Sequence, residues 1–394
     1  MIASILLSLA VAPQNIVTNE GYIINGVETL SENPIADCYA EVDEGLPAGT
    51  PVIIQVQGIV DGYVGIGCAW GSPENFSLRD KDPEGINVSF VGISSDARIG
   101  PVFLGEDFDK VERAEFNNMG LKGPNDSFAV RQLGYVKNLV FNDFWIEKKV
   151  GHPQNKYESL MHLGEGWRSL YIGGYEARGH EVQHHCFYLK GGGETRIVNN
   201  ELWGGNRTGV QIRPHQEPWS SPPPTGNIYI QNNYAENFGW NHENPDGGGW
   251  ISVWSSLNHR VIITDNTCIN ARYSCLVVAQ PVASQNPYLT ADGYSHGFVG
   301  VMNNTFDNTG SQRACVSFTA TRVLVLGPNN NWTSNQHVME IDTWWSATYT
   351  DALPVRDWWL LGNQSIPSFP IHTWDYDMGA YREILSDELM THVR

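Results

Sequence analysis

Charge is what this chain has least of. Lys, Arg, Asp and Glu make up 17% of its 394 residues, too few to solvate long surface helices. The balance is lopsided as well, with 24 basic against 43 acidic residues and a net charge of −19. A surface of that sign repels a phosphate backbone, so nucleic acid is not an expected partner. An anionic ligand stays open, because a local basic strip can reverse the field inside a groove.

Long apolar runs are missing too. The longest, 2–11, falls short of the roughly 20 residues a membrane-spanning helix needs, so no membrane is expected either. It ends in Ala10-Val11-Ala12, a small-residue pattern that fits a signal cleavage site, although no basic segment precedes it and Pro13 follows. A signal remnant over 1–12 and a plain capping strand both fit. Cysteine is scarce: six residues without regular spacing make no disulfide framework. In a secreted protein Cys38 could pair with Cys68 and Cys268 with Cys275, while Cys186 and Cys315 read as buried thiols.

What the chain does have is turns and short strands. Its 40 Gly and 21 Pro punctuate alternating apolar–polar runs, the first convincing ones at 51–67 and 86–105. From there a unit recurs: strand, turn, second strand, small polar pair, third short strand, loop. Aligned on the polar pair, second strands end at Asp143, Gly174, Asn200, Asn233, Asn266 and Asn304, at intervals of 31, 26, 33, 33 and 38 residues. A strand-based repeat of this length is a solenoid signature. Asn at the recurring turn has a physical reason, since it tolerates the left-handed conformation and its amide can bond the equivalent Asn of the next coil. The expected fold is therefore all-β: a single right-handed parallel β-helix over 51–376 with an Asn ladder. Residues 1–50 form an N-terminal cap. Residues 377–394, with Tyr381, Ile384, Leu385 and Leu389 at helical spacing, form a short C-terminal capping helix.

Placed in phase, the first strands end at Arg131, Gly164, Lys190, Arg213, Trp254, Ala279, Thr319 and Asp342. Their outward positions make two columns: Ala129, His162, Tyr188, Gln211 and Ser252 in one, Arg131, Gly164, Lys190, Arg213 and Trp254 in the other. Insertions at 214–226, 280–295 and 343–354 on one side, and at 148–157 and 239–249 on the other, would wall this sheet into a groove.

At this point the chain resembles the pectate-lyase-like right-handed β-helix superfamily over roughly residues 50–370. That resemblance implies the fold more than the activity, since the superfamily holds lyases, glycoside hydrolases, epimerases and tailspikes. A narrower likeness is to the alginate lyase and chondroitinase B family. There a catalytic lysine on one coil is followed on the next by an Arg-His pair, and Lys190, Asn199-Asn200, Gly209 and Arg213 stand at matching places, with His215 displaced by Pro214. For the family's calcium-binding cluster only Glu176 and Glu181 offer themselves, so no cofactor is required by the residues and calcium is left open.

β-Elimination from a uronate explains why such residues would be needed. The C5 proton is weakly acidic, so the carboxylate must be neutralised while a base takes the proton and an acid meets the leaving oxygen. Arg213 can clamp a carboxylate through two hydrogen bonds. Lys190, crowded by other cations, is the candidate base, with Tyr188 or His215 as the acid or as an alternative Tyr/His pair. Arg131, His162, His185, Gln211, Trp240, His242 and Trp254 are the candidate substrate-binding residues, the Trp side chains (with Trp203, Trp219 and Trp250 nearby) as stacking surfaces for sugar rings. The expected activity is a secreted, monomeric polysaccharide lyase acting on an anionic, uronate-containing glycan. Two alternatives share the fold: a glycoside hydrolase using Glu243, Asp246, Glu340 or Asp342, and a glycan-binding β-helix without a base.

Overall fold

Short alternating runs bury one face of each strand, and the chain satisfies them by winding. The computed structural model describes all residues except 1–13, 48, 68–75, 79–84, 106–110, 124–127, 148–158, 165, 177–185, 206–207, 214–225, 239–249, 254–258, 273, 279–295, 309–313, 320, 335–338, 342–354, 356, 362–370, 376–379 and 384–394. Among the described residues the strands lie in three sheets of 15, 13 and 5 strands, and neighbours within a sheet are strands from successive coils. Pairing is parallel throughout the body, as from Phe187–Lys190 to Val210–Arg213 and from Glu194–Val198 to Ile228–Gln231. The chain is a β-solenoid. We call the 13-stranded sheet the front, the 15-stranded sheet the back and the 5-stranded sheet the side.

The strand period of two fixes what lies inside. Along Ile86–Gly92 buried and half-buried residues alternate without a break. Phe90, Phe116 and Phe141 stack on three consecutive coils with centroids 5.5 and 5.1 Å apart, following the spacing between parallel strands. Buried aliphatic and aromatic side chains continue from Val17 to Leu360 as one core cluster.

The turn after each back strand divides the labour between two adjacent residues. Asn199, Asn232, Asp265, Asn303 and Asn329 take the left-handed backbone conformation, with φ between 52° and 62°. The next residue turns inward: Asn200 Nδ2 donates to Asn233 Oδ1 (2.9 Å), Asn233 to Asn266 (2.9 Å), Asn266 to Asn304 (3.0 Å) and Asn304 to Asn330 (3.1 Å). Asn200, Asn233, Asn266 and Asn304 are thus stacked as the sequence suggested. Asp143 and Gly174, however, are one place out of phase with them. Both have positive φ and match Asn199, while the inward position on their coils belongs to Phe144 and Tyr175. The column therefore changes from aromatic to amide at Tyr175, whose backbone N–H donates to Asn200 Oδ1 at 3.0 Å.

At the start of the chain, Asn15–Val17 joins the back sheet in parallel with Val52–Val56, and the helix Pro34–Glu44 buries Ile35, Cys38 and Tyr39. At the other end most of the segment expected as a capping helix, 377–379 and 384–394, lies outside the described residues, and only the part between them differs from that expectation. Ala380–Glu383 is a strand, paired antiparallel with Ile371–Asp375 so that Tyr381 lies opposite Trp374. An open sheet edge needs partners for its backbone N–H and C=O groups, and a returning strand supplies them where a helix would not. Cys268 and Cys275 do not pair and are free and buried, as are Cys186 and Cys315; Cys38 is also free and buried, and Cys68 lies outside the described residues.

Candidate functional site

Four coils of the front sheet carry the candidate site. Inward residues anchor each strand, Val130, Met161, Phe187 and Val210 among them, and these are fully buried. The alternate residues then point outward. Parallel pairing brings Arg131, His162, Tyr188, Gln211 and Ser252 into one column, each directly opposite the next. Lys190 and Arg213 sit opposite each other in the second column.

The register of Lys190, Tyr188, Gln211 and Arg213 agrees with the sequence reading. That of Arg131 does not. It belongs two residues along, opposite His162 instead of Gly164, and Ala129 is buried instead of outward. The cause is Gln132, which fills an inward position and is held there by donating to Gly134 O (2.8 Å) and Gly166 O (2.6 Å). Phe128, expected inside, is half-buried beside the column.

Contacts run along the site without a gap. Arg131 lies with its guanidinium 6.0 Å from the Phe128 ring centre, and Phe128 meets the His162 ring edge-on at 4.9 Å. His162 in turn lies 5.0 Å from Tyr188. Lys190 Nζ is 5.1 Å from the centre of the Tyr188 ring, and Arg213 Nη1 donates to the Tyr188 hydroxyl at 3.4 Å. Tyr188 is thus the hub of the cluster.

His162 stands out electrostatically. Burial first, then the charges of Lys190 and Arg131, push its imidazole down to about 4, so it is neutral at ordinary pH. Its Nδ1 is buried and has no hydrogen-bond partner among the described residues. Gly164 leaves space beside it: a β-carbon there would sit 3.7 Å from His162 Nε2.

No family model, curated protein or solved structure matches the chain. The site must therefore be argued from its own geometry. Three cations, Arg131, Lys190 and Arg213, gather on four coils of a protein with net charge −19. Glu340 shares the column of Tyr188 but lies five coils further on, past Gln211, Ser252, Val277 and Ser317. That is too far to work with Lys190.

His185, His215, Trp240, His242 and Trp254 lie outside the described residues, as do Glu181, Glu243, Asp246, Asp342 and most of the insertions expected to wall the groove. Trp250 is fully enclosed in the core, where its ring meets Phe306 edge-on at 6.2 Å, so it is no sugar platform. Phe128 is the site residue that sequence reasoning misplaced. Its signal, an aromatic next to the Arg131 strand, was legible, but alternation alone assigned it to the interior.

Proposed function

We propose that the protein is a polysaccharide lyase that cleaves an anionic, uronate-containing glycan by β-elimination on the front sheet. One observation carries the reading: Lys190 and Arg213 stand side by side on adjacent coils with Tyr188 in contact with both. Arg213 offers the carboxylate two parallel N–H donors and neutralises the charge that grows as the carbanion forms. Lys190, as the free amine, takes the C5 proton. The electron pair left at C5 forms the C4=C5 double bond as the C4–O bond breaks, and the departing oxygen receives a proton from the Tyr188 hydroxyl. Arg131, three coils before Arg213, extends the positive strip along the polymer, and Gln211 adds an amide on the same strand as Arg213. Trp240, Trp254, His185, His242 and His215 (the last as alternative acid) stay candidates from the sequence alone, outside the described residues.

The solenoid is taken to be right-handed, the hand that parallel crossovers overwhelmingly adopt. Secretion and a monomeric state go with this reading, since the polymer is extracellular and Lys190, Arg213 and Tyr188 all come from one chain. The test is a panel of uronate polysaccharides assayed together for a new ultraviolet-absorbing double bond and for new reducing ends. Both should rise in step. Reducing ends alone would mean hydrolysis, and neither would leave a glycan-binding surface.

A further inference from the structure

The outer face of the back sheet, on the opposite side of the core from the candidate site, carries aromatic side chains in a spacing of its own. Tyr171, Arg196, Tyr229, Ile262, Gly300, Val325 and Trp359 occupy one outward position on seven consecutive coils. Rings stand at the first, third and seventh. The fifth has one too, because Phe298 leans over Gly300: a β-carbon on that glycine would come 2.9 Å from Phe298 Cε1. Tyr171 leans along its own strand over Gly173, with its Cε1 and Cζ 2.6 Å from where a β-carbon would be, so its ring lies towards the adjacent outward position. Tyr229 is braced by the Arg196 guanidinium, 4.6 Å from its ring centre. Tyr171, Tyr229, Phe298 and Trp359 are each half-buried, so part of every ring meets solvent.

An aromatic at every second coil repeats at about 9.6 Å, twice the separation of hydrogen-bonded strands. A flat β-1,4-linked glycan has nearly the same period, because its two-fold ribbon presents the same ring face at every second residue. Sugar rings stack on aromatic side chains through their apolar faces, so a commensurate row of rings can be met at several points at once.

Charge decides what kind of glycan fits. Arg196 is paired with Glu194, Arg113 with Glu115 and Lys137 with Glu112, and of the other charged residues on the seven strands Arg168 and Arg260 are exposed cations and Asp357 an exposed anion, so neither sign forms a continuous run. The strip carries little net charge for a molecule of net charge −19. A second copy of the chain would bring the same repulsive charge, and a polyuronate would find no clamp here. A neutral ligand meets neither obstacle.

From this we infer that the back sheet is a second binding site, for a neutral, extended β-1,4-linked glycan, with Tyr171, Tyr229, Phe298 and Trp359 as its contact points. This stands on different residues from the reading of the front sheet and does not depend on it. The site would hold the protein on a neutral polymer while the front sheet faced an anionic one.

Adsorption of the full chain to insoluble cellulose and to β-1,4-mannan tests it. The protein should bind at least one of them, resist high salt and be released by the matching soluble hexasaccharide but not by amylose, which lacks the two-fold repeat. Tyr171→Ala and Tyr229→Ala should each weaken adsorption about tenfold, Tyr229→Phe should retain it, and Arg213→Ala should not change it. Failure of the wild-type chain to adsorb to either polymer would overturn the inference, and that measurement needs no variant. Adsorption lost with Arg213 would place the ligand on the front sheet instead. A dimer of the wild-type chain in sedimentation velocity that Tyr229→Ala dissolves would make the face a self-association surface.

Discussion

Arg213 donates to the hydroxyl of Tyr188 from the neighbouring coil, at 3.4 Å. The phenol therefore has a cation at its oxygen, while Lys190 sits 5.1 Å from its ring centre. A group that must protonate a leaving oxygen gains from a positive neighbour, because the developing phenolate is stabilised. Tyr188→Phe should then depress turnover on substrates with poor leaving groups more than on activated ones. Equal loss on both would mean the phenol only shapes the site.

Lys190 and Arg213 should fail differently. Lys190→Ala removes the base and should lower kcat by about 10²–10⁴-fold while leaving glycan affinity within a few-fold. Arg213→Ala removes charge stabilisation that strengthens towards the transition state, so kcat and KM should both worsen. Steady-state kinetics and direct binding by calorimetry separate the two. Both side chains point outward, so neither change should move the melting temperature by more than about 2 °C.

The positive strip predicts a steep salt dependence. Binding of a polyuronate should weaken as ionic strength rises and the Debye length shrinks, and Arg131→Gln should flatten that slope. Arg131 lies two coils from Lys190, so the change should cost affinity for long chains more than for disaccharides. Titrations at several salt concentrations with oligosaccharides of increasing length read both effects.

His162 makes acid stability a test of the site's electrostatics. Its imidazole titrates near 4 when folded and near 6.5 when unfolded, so between those values the unfolded chain binds more protons. Its contribution is intact above the unfolded value and is lost as pH falls through the folded one. His162→Gln, which cannot titrate, should have a melting temperature that drops less between pH 7 and pH 4 than that of the wild type. Parallel curves would show that His162 is not held neutral by its neighbours.

Much of this molecule was legible before its fold. The alternating runs at 187–190 and 210–213 specify both inward and outward residues, so Lys190, Arg213, Tyr188 and Gln211 fall where the pattern puts them. Arg131 did not, because Gln132 is an inward polar residue whose Nε2 donates to Gly134 O on its own coil and to Gly166 O on the next, which no hydrophobic pattern reveals. The Asn turns were legible as a class. Which of two adjacent residues bends the backbone and which bonds along the ladder depends on geometry, and so Asp143 and Gly174 were aligned one place out. Residues 380–383 fail for another reason: a short apolar run suits either period, and the open sheet edge settles it.

The ladder itself has an asymmetric consequence. Asn233 donates to Ile197 O and Asn266 Oδ1 and accepts from Asn200, all within the core. Asn233→Ala strands several buried groups at once and should cost at least about 3 kcal/mol. Asn232→Gly keeps the left-handed backbone accessible and gives up only an exposed amide bond to Asn199, so it should stay within about 1 kcal/mol. Denaturant unfolding of the two variants compares them directly.

Mass balance on a defined substrate tests the central claim most directly. A purified uronate oligosaccharide is digested to two products and both are weighed by mass spectrometry. Elimination adds no water, so the product masses should sum to that of the substrate, with the new double bond at the new non-reducing terminus of the fragment that keeps the substrate's reducing end, and Lys190→Ala should leave the substrate whole. Products that together exceed the substrate by one water molecule would mean hydrolysis, and would contradict the roles given to Lys190, Arg213 and Tyr188.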